Sequence, residues 1–299
     1  MSAAATVKAR PTSEDDITAE VLRRFDNTED PRLRQILQSL VRHVHAFIKE
    51  VRLSEKEWWQ GIDFLTRTGQ KCDAERQEFI LLSDVLGVSM VTDLISNRKP
   101  VGATESTVFG PFHREGAPEL PAGGDIKSAE RGGITTIISG HVRDMQGRPI
   151  ANALLDVWQA AADGLYDVQD TSLSKTNMRG KFRTDAEGRY LVKSTRPVPY
   201  SIPADGPVGQ MLEASNRSPW RPAHVHFVVS AEGYLPVTTH IFDSASPYLD
   251  DDAVFGVKNS LIVDFVEHDT ADETAGCLGE QPPYVTASYD FVLAPAKRC

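Results

Sequence analysis

The sequence predicts an α+β protein: an N-terminal helical domain over residues 1–103, followed by a C-terminal antiparallel β-sandwich over 104–299. Two observations carry this. Apolar residues recur at helical spacing, behind capping signals, through the first hundred residues. From about residue 104 the texture changes to short β-branched runs punctuated by Gly- and Pro-rich turns. Composition agrees, with 40% hydrophobic and 25% charged residues in a chain of 299, enough to bury a substantial core.

The helices follow in order. "TSEDDITAEVLRRF" opens with Ser13 and Asp16 at capping-box spacing. In "DPRLRQILQSLVRHVHAFIKEV", Asp30 suits a cap and Pro31 the first helical position, and Leu33, Ile36, Leu37, Leu40, Val44, Phe47 and Ile48 repeat at helical spacing. "SEKEWWQGIDFLTRTG" pairs Ser54 with Glu57 and offers Gly69 as a stop. "DAERQEFILLSDVLGVSMVTDLISN" reads as two helices meeting near Gly87. His43 and His45 lie two apart on a helix, which suits packing rather than shared ligation. The strand candidates are "GITTIISGHVRD", "ALLDVWQA", "GRYLVKSTRP", "HVHFVVSA", "VTTHIFD" and "SLIVDFV".

A formal net charge of −10 argues against a general nucleic-acid binder, which needs a basic footprint. Cys72, Cys277 and Cys299 are far apart and form no CxxC pair, so they read as ordinary thiols of a reducing compartment. "MSAAATVKARPTSEDD" has no apolar core of signal-peptide length and no run approaches a membrane span; the expected location is cytoplasmic.

The chemistry concentrates in "RPAHVHFVV", residues 221–229. Along a strand, residues two apart share a face, so His224 and His226 project together while Val225 and Phe227 face a core. Two imidazoles side by side begin a metal site, although spacing alone leaves open an ordinary hydrogen-bonded pair. No cysteine pair offers further ligands. Tyr166 and Tyr200 each follow a strand-like segment. A phenol, with a pKa near ~10, needs a hard trivalent cation to lose its proton on binding, which makes Fe(III) its natural partner. Taken singly, each tyrosine is better explained by packing with its hydroxyl hydrogen-bonded.

With "DGLYD" at Tyr166, "RPVPY" at Tyr200 and "RPAHVHF" at His224 and His226, the chain resembles the intradiol ring-cleavage dioxygenases, non-haem Fe(III) enzymes with the ligand order Tyr, Tyr, His-x-His. "GHVRDMQGRPIANALLDVWQA" and "RGKFRTDAEGRYLVKSTRP" extend the likeness, which covers nearly the whole chain. The resemblance implies an iron site in the sandwich held by Tyr166, Tyr200, His224 and His226, a homodimer formed through the N-terminal helices, and a phospholipid between them, with Leu33, Leu37 and Val41 available to line its tunnel. It implies that Tyr200 leaves the metal and takes up a substrate proton, while Tyr166 stays bound and Arg221 is aimed at the substrate. Pro222 supplies the bend that Arg221, three residues before His224, needs to reach the same side.

The pocket segment "TESTVFGPFHREG", with Val108, Phe109, Gly110, Pro111 and Phe112, departs from the catechol-cleaving pattern and looks like the hydroxyquinol 1,2-dioxygenase branch. Leu81 and Asp84, with Ile202 and Pro203, agree with that branch, and Asp84 can accept a hydrogen bond from the third hydroxyl that catechol lacks. His240 stands where catechol enzymes carry glutamine; it is expected either to polarise a bound group or to serve as a different hydrogen-bonding partner, not to be a fifth ligand. The implied reaction is cleavage of hydroxyquinol by O2 to 3-hydroxy-cis,cis-muconate and thence maleylacetate. The alternatives are catechol or chlorocatechol 1,2-dioxygenase activity and, more remotely, a non-catalytic β-sandwich binding module.

Overall fold

In the computed structural model, residues 10–128, 132–170, 176–270, 276 and 278–296 are described; Cys277 and Cys299 fall outside them. The chain divides by its internal contacts into one unit ending at Thr66 and a second beginning at Arg67.

In the first unit, α1 (Glu14–Arg24) starts at the expected capping box: the Asp16 N–H donates to Ser13 Oγ and the Ser13 N–H to Asp16 Oδ2, both at 3.1 Å. Helix α2 (Pro31–Val51) starts with Asp30 Oδ1 accepting from the Arg32 and Leu33 N–H groups, and ends at Arg52 in the left-handed region. The two helices pack through one stripe of α2, where His45 lies 2.9 Å from the Thr18 hydroxyl and Lys49 pairs with Asp15. His43 turns back onto the Ser39 carbonyl, so neither histidine is part of a ligand set. The opposite stripe, Leu33, Ile36, Leu40, Val44, Phe47 and Val51, is exposed. Helix α3 (Glu55–Gln70) has its Ser54–Glu57 box and runs one residue past Gly69, which is therefore not its stop.

The second unit begins with α4 (Glu78–Val85) and α5 (Val88–Ser96), which meet at Gly87 in the left-handed region. The unit boundary thus precedes the texture change at 103/104. Buried carboxylates tie both helices into the second unit: Glu78 accepts from the Val208 N–H and Asp93 from the Ser106 hydroxyl. Among the described residues, twelve strands follow: β1 (Thr135–Asp144), β2 (Leu154–Trp158), β3 (Arg179–Arg183), β4 (Arg189–Thr195), β5 (Tyr200–Ser201), β6 (Trp220–Arg221), β7 (His224–Ser230), β8 (Val237–Asp243), β9 (Ile262–Val263), β10 (Val266–His268), β11 (Tyr284–Ser288) and β12 (Phe291–Leu293). Helix α6 (Pro207–Ala214) lies between β5 and β6. One sheet orders β10-β11-β1-β12 with β4 also on β1; the other orders β3-β2-β7-β8-β9; β5 and β6 form a separate ribbon.

Ile138, Val142, Val192 and Val285 from the first sheet and Leu155, Val157, Val225, Phe227, Val229 and Ile241 from the second share one core, all fully buried. This is the expected sandwich, with one difference: pairing is mixed, because β1 runs parallel to both β11 and β12, and β8 to β9. Strand β1 changes partner at Gly140, where a Cβ would run into the Tyr289 carbonyl. "SLIVDFV" is not one strand but a 3-10 turn and two short strands, since Asp264 leaves the ladder to accept from Ser244.

No single helix among the described residues is long and apolar enough to cross a membrane, although α4 and α5, bent by 79°, pass that test together on length and composition.

Candidate active site

Strand register assembles the site. Strands β2, β7 and β8 lie side by side, and Trp158, His226 and His240 stand opposite one another across them. Residues two apart share a face, so His224 joins His226 while Val225 and Phe227 enter the core. Trp158 stacks on His226 at 4.6 Å with the planes 12° apart, which holds the imidazole against the indole face.

The ribbon supplies the next pair: Tyr200 on β5 is directly opposite Arg221 on β6. Pro222 and Ala223 break the strand between β6 and β7, and the expected bend brings Arg221 Nη1 to 3.1 Å from His224 Nε2 and 3.4 Å from the Tyr200 hydroxyl. Tyr166 sits in the loop after β2. Its N–H donates to Gln169 Oε1, and a fully buried Arg179–Asp167 pair anchors its neighbour, with Arg179 also donating to the Phe112 carbonyl. The Phe112 ring in turn lies 4.6 Å from that of Tyr166.

Four donor atoms converge. The two phenol oxygens are 3.3 Å apart, the Tyr166 oxygen is 3.0 Å from His226 Nε2, and the two Nε2 atoms are 3.1 Å apart. Ligands about 2.0–2.2 Å from a common ion are spaced in this way. His224 Nδ1 is 2.7 Å from the Pro222 carbonyl, so it carries the proton and leaves the Nε2 lone pair facing the cluster. Burial, with the Arg221 charge behind it, holds His224 down to about pKa 3, and burial also depresses His226 and His240 well below the usual imidazole range. All three are therefore neutral, as metal ligands must be. Burial raises Tyr166 well above an ordinary phenol, so without a cation it stays protonated. The donor set thus fits a hard, highly charged metal ion. His224, His226 and His240 offer nitrogens within 4.8 Å of one another. Both ring nitrogens of His240 are buried without a hydrogen-bond partner of good geometry, and the Val108 backbone acts on them only weakly.

The expected pocket residues come from three segments of the second unit. Leu81, Pro111, Phe112 and Pro203 line one cavity of about 400 Å3, rimmed by Glu75, Arg76 and Asp205. Asp84 is buried; burial raises its pKa, opposed by a Ser89 hydrogen bond and the Arg221 charge. Val108 and Ile202 are buried as well. Gly110 has a φ of 75°, and a Cβ there would meet His226 Cε1 at 3.4 Å, so the loop passes close over His226. Phe109 is half-exposed and turns to His113 and Trp158 instead of joining that cavity.

Two participants escaped the sequence reading. Trp158 was detectable, since strand alternation from Val157 sends it to the histidine face. Asp252, which pairs with Arg221 at 3.0 Å, had no signal in the spacing.

Comparison with known proteins gives the same answer. Residues 109–295 match the family model described as Dioxygenase, and residues 30–104 match Catechol dioxygenase N terminus. The chain is 50% identical to a hydroxyquinol 1,2-dioxygenase of Rhodococcus opacus over 285 residues, 94% of each chain. It superposes on a hydroxyquinol 1,2-dioxygenase of Pseudomonas putida with a TM-score of 0.89 at 50% identity, covering 95% of this chain and 99% of that one. The catechol 1,2-dioxygenase of Pseudomonas arvilla is more distant, at 0.82 and 32%, covering 95% and 93%. On sequence and architecture together, the chain belongs to the intradiol ring-cleavage dioxygenase family.

Proposed function

We propose that this protein cleaves hydroxyquinol between its adjacent hydroxyls with O2, both oxygen atoms entering the product 3-hydroxy-cis,cis-muconate, which tautomerises to maleylacetate. The observation that carries the reading is the convergence of the buried side chains of Tyr166, Tyr200, His224 and His226 beside Arg221. We assign Fe(III) to those four residues. A ferric ion held there would supply Lewis-acid activation of the diol, making its ring reactive toward O2.

The chain's own residues do the rest. Tyr200, as a phenolate, would accept a proton from the entering diol, its oxygen within reach of Arg221. Arg221, fully buried and permanently charged, stabilises negative charge developing on the substrate. Asp84 accepts a hydrogen bond from the third hydroxyl, and His240 offers a polar nitrogen to a bound oxygen. Leu81, Val108, Gly110, Pro111, Phe112, Ile202 and Pro203 enclose the ring and exclude water, with Phe109 at the outer edge.

Higher identity to hydroxyquinol-named than to catechol-named relatives supports the triol. Oxygen uptake with hydroxyquinol and with catechol tests it: kcat/KM should favour hydroxyquinol, and a preference for catechol would return the assignment to the catechol or chlorocatechol 1,2-dioxygenases. The exposed stripe of α2 supports a homodimer through the helical region, with a phospholipid sharing that apolar surface. Sedimentation and lipid extraction test both.

A further inference from the structure

Asp252 has no place in the function proposed above, yet it is wired directly to Arg221. Its carboxylate lies side-on to the guanidinium, Arg221 Nε donating to Oδ1 at 3.0 Å and Nη2 to Oδ2 at 3.4 Å. Two of the three nitrogens are thereby committed. The third, Nη1, is the one that faces the Tyr200 hydroxyl and His224 Nε2.

The carboxylate is itself held from behind. Oδ1 accepts from the Val254 N–H at 3.3 Å and Oδ2 from the Gly256 N–H at 2.8 Å. This closes a turn in which Phe255 takes a φ of 59°, a left-handed conformation that a bulky side chain rarely adopts. The strap is tied down at both ends: the Ala253 N–H donates to the Trp220 carbonyl, and the Thr107 hydroxyl to the Gly256 carbonyl. At Gly256 a Cβ would approach Arg221 Nη2 and Asp252 Oδ2 to 3.1 Å, so the backbone itself closes against the ion pair. Charge neutralisation alone would not require this bracing, because any nearby carboxylate could compensate a buried guanidinium.

We infer that Asp252 is a positioning residue: clamped by the 252–256 turn, it fixes the guanidinium plane so that Arg221 Nη1 points at the substrate's place beside Tyr200 and His224. The inference rests on the proposed dioxygenase reading. Because it acts through Arg221, its effect belongs in kcat and not in iron retention.

The test uses iron-loaded full-length enzyme carrying Asp252→Asn or Asp252→Glu. Asn removes the charge but keeps the shape; Glu keeps the charge but displaces it by one methylene. Iron content, the visible tyrosinate band, kcat and KM for hydroxyquinol are measured on each. Both variants should keep the wild-type iron content and band, lose about 10- to 100-fold in kcat, and change KM by less than about threefold. Wild-type kcat in Asp252→Glu would overturn the inference, because charge compensation would then suffice. So would a kcat that falls only in proportion to lost iron, or failure of both variants to fold, either of which assigns Asp252 to the scaffold. A wild-type enzyme that does not turn over hydroxyquinol would overturn the functional reading and this inference with it; wild-type turnover with unaffected variants overturns the inference alone.

Discussion

Val225, between His224 and His226, is as much a part of the site as either histidine, because its burial on the other face commits both imidazoles to the cluster. Asp84 is the residue proposed to carry the discrimination between the triol and catechol. It is a buried carboxylate whose pKa burial raises, close enough to Arg221 to feel its charge. A carboxylate desolvated in this way gains from a substrate hydroxyl and is left unsatisfied by a substrate that lacks one. Replacing it, Asp84→Ala, should lower the hydroxyquinol-to-catechol ratio of kcat/KM about 10- to 100-fold, with the loss falling on hydroxyquinol. Equal losses on both substrates would place Asp84 in the scaffold.

At the scale of elements, the alternation of β7 separates stability from chemistry. Phe227→Ala should cost about 3–5 kcal/mol in urea unfolding through the core cavity it leaves. His226→Gln should abolish iron binding at a much smaller cost to the metal-free protein, and the reverse ranking would mean that the strand faces are misassigned. This alternation could be read directly from "HVHFVV", as could the helix caps at Ser13, Asp30 and Ser54, because both depend on neighbours within a few residues. Pairing between distant segments could not. Parallel β11 and β12 beside β1, the Trp158–His226 stack and the Asp252–Arg221 pair join positions tens of residues apart, and local pattern carries no record of register. The four donors themselves could be joined only through resemblance to a known family, since nothing in the spacing of Tyr166, Tyr200 and the two histidines says that they meet. Such transfer does not specify side-chain packing: Phe109 is half-exposed and its ring lies against His113 and Trp158.

For the whole molecule, three neutral imidazoles buried in the sandwich make stability depend on pH. Their folded pKa values lie below the ordinary imidazole value, to about 3 for His224, so in mild acid the unfolded chain binds protons that the folded one refuses. The contribution is complete above about pH 6.5 and is lost as pH falls toward the folded value, by up to about 1.4 kcal/mol per pH unit for each histidine. Urea midpoints of the metal-free protein should therefore drop between pH 7 and pH 5.5, where most carboxylates do not titrate; a flat profile would contradict the burial of these rings.

The central claim is that two tyrosines and two histidines from three separate segments hold one ferric ion to which the triol binds. The visible spectrum of the iron-loaded protein, before and after anaerobic addition of hydroxyquinol, tests it most directly. The account predicts a broad red-to-purple tyrosinate charge-transfer band that moves to longer wavelength when the triol is added. A colourless protein with iron demonstrably bound would contradict it.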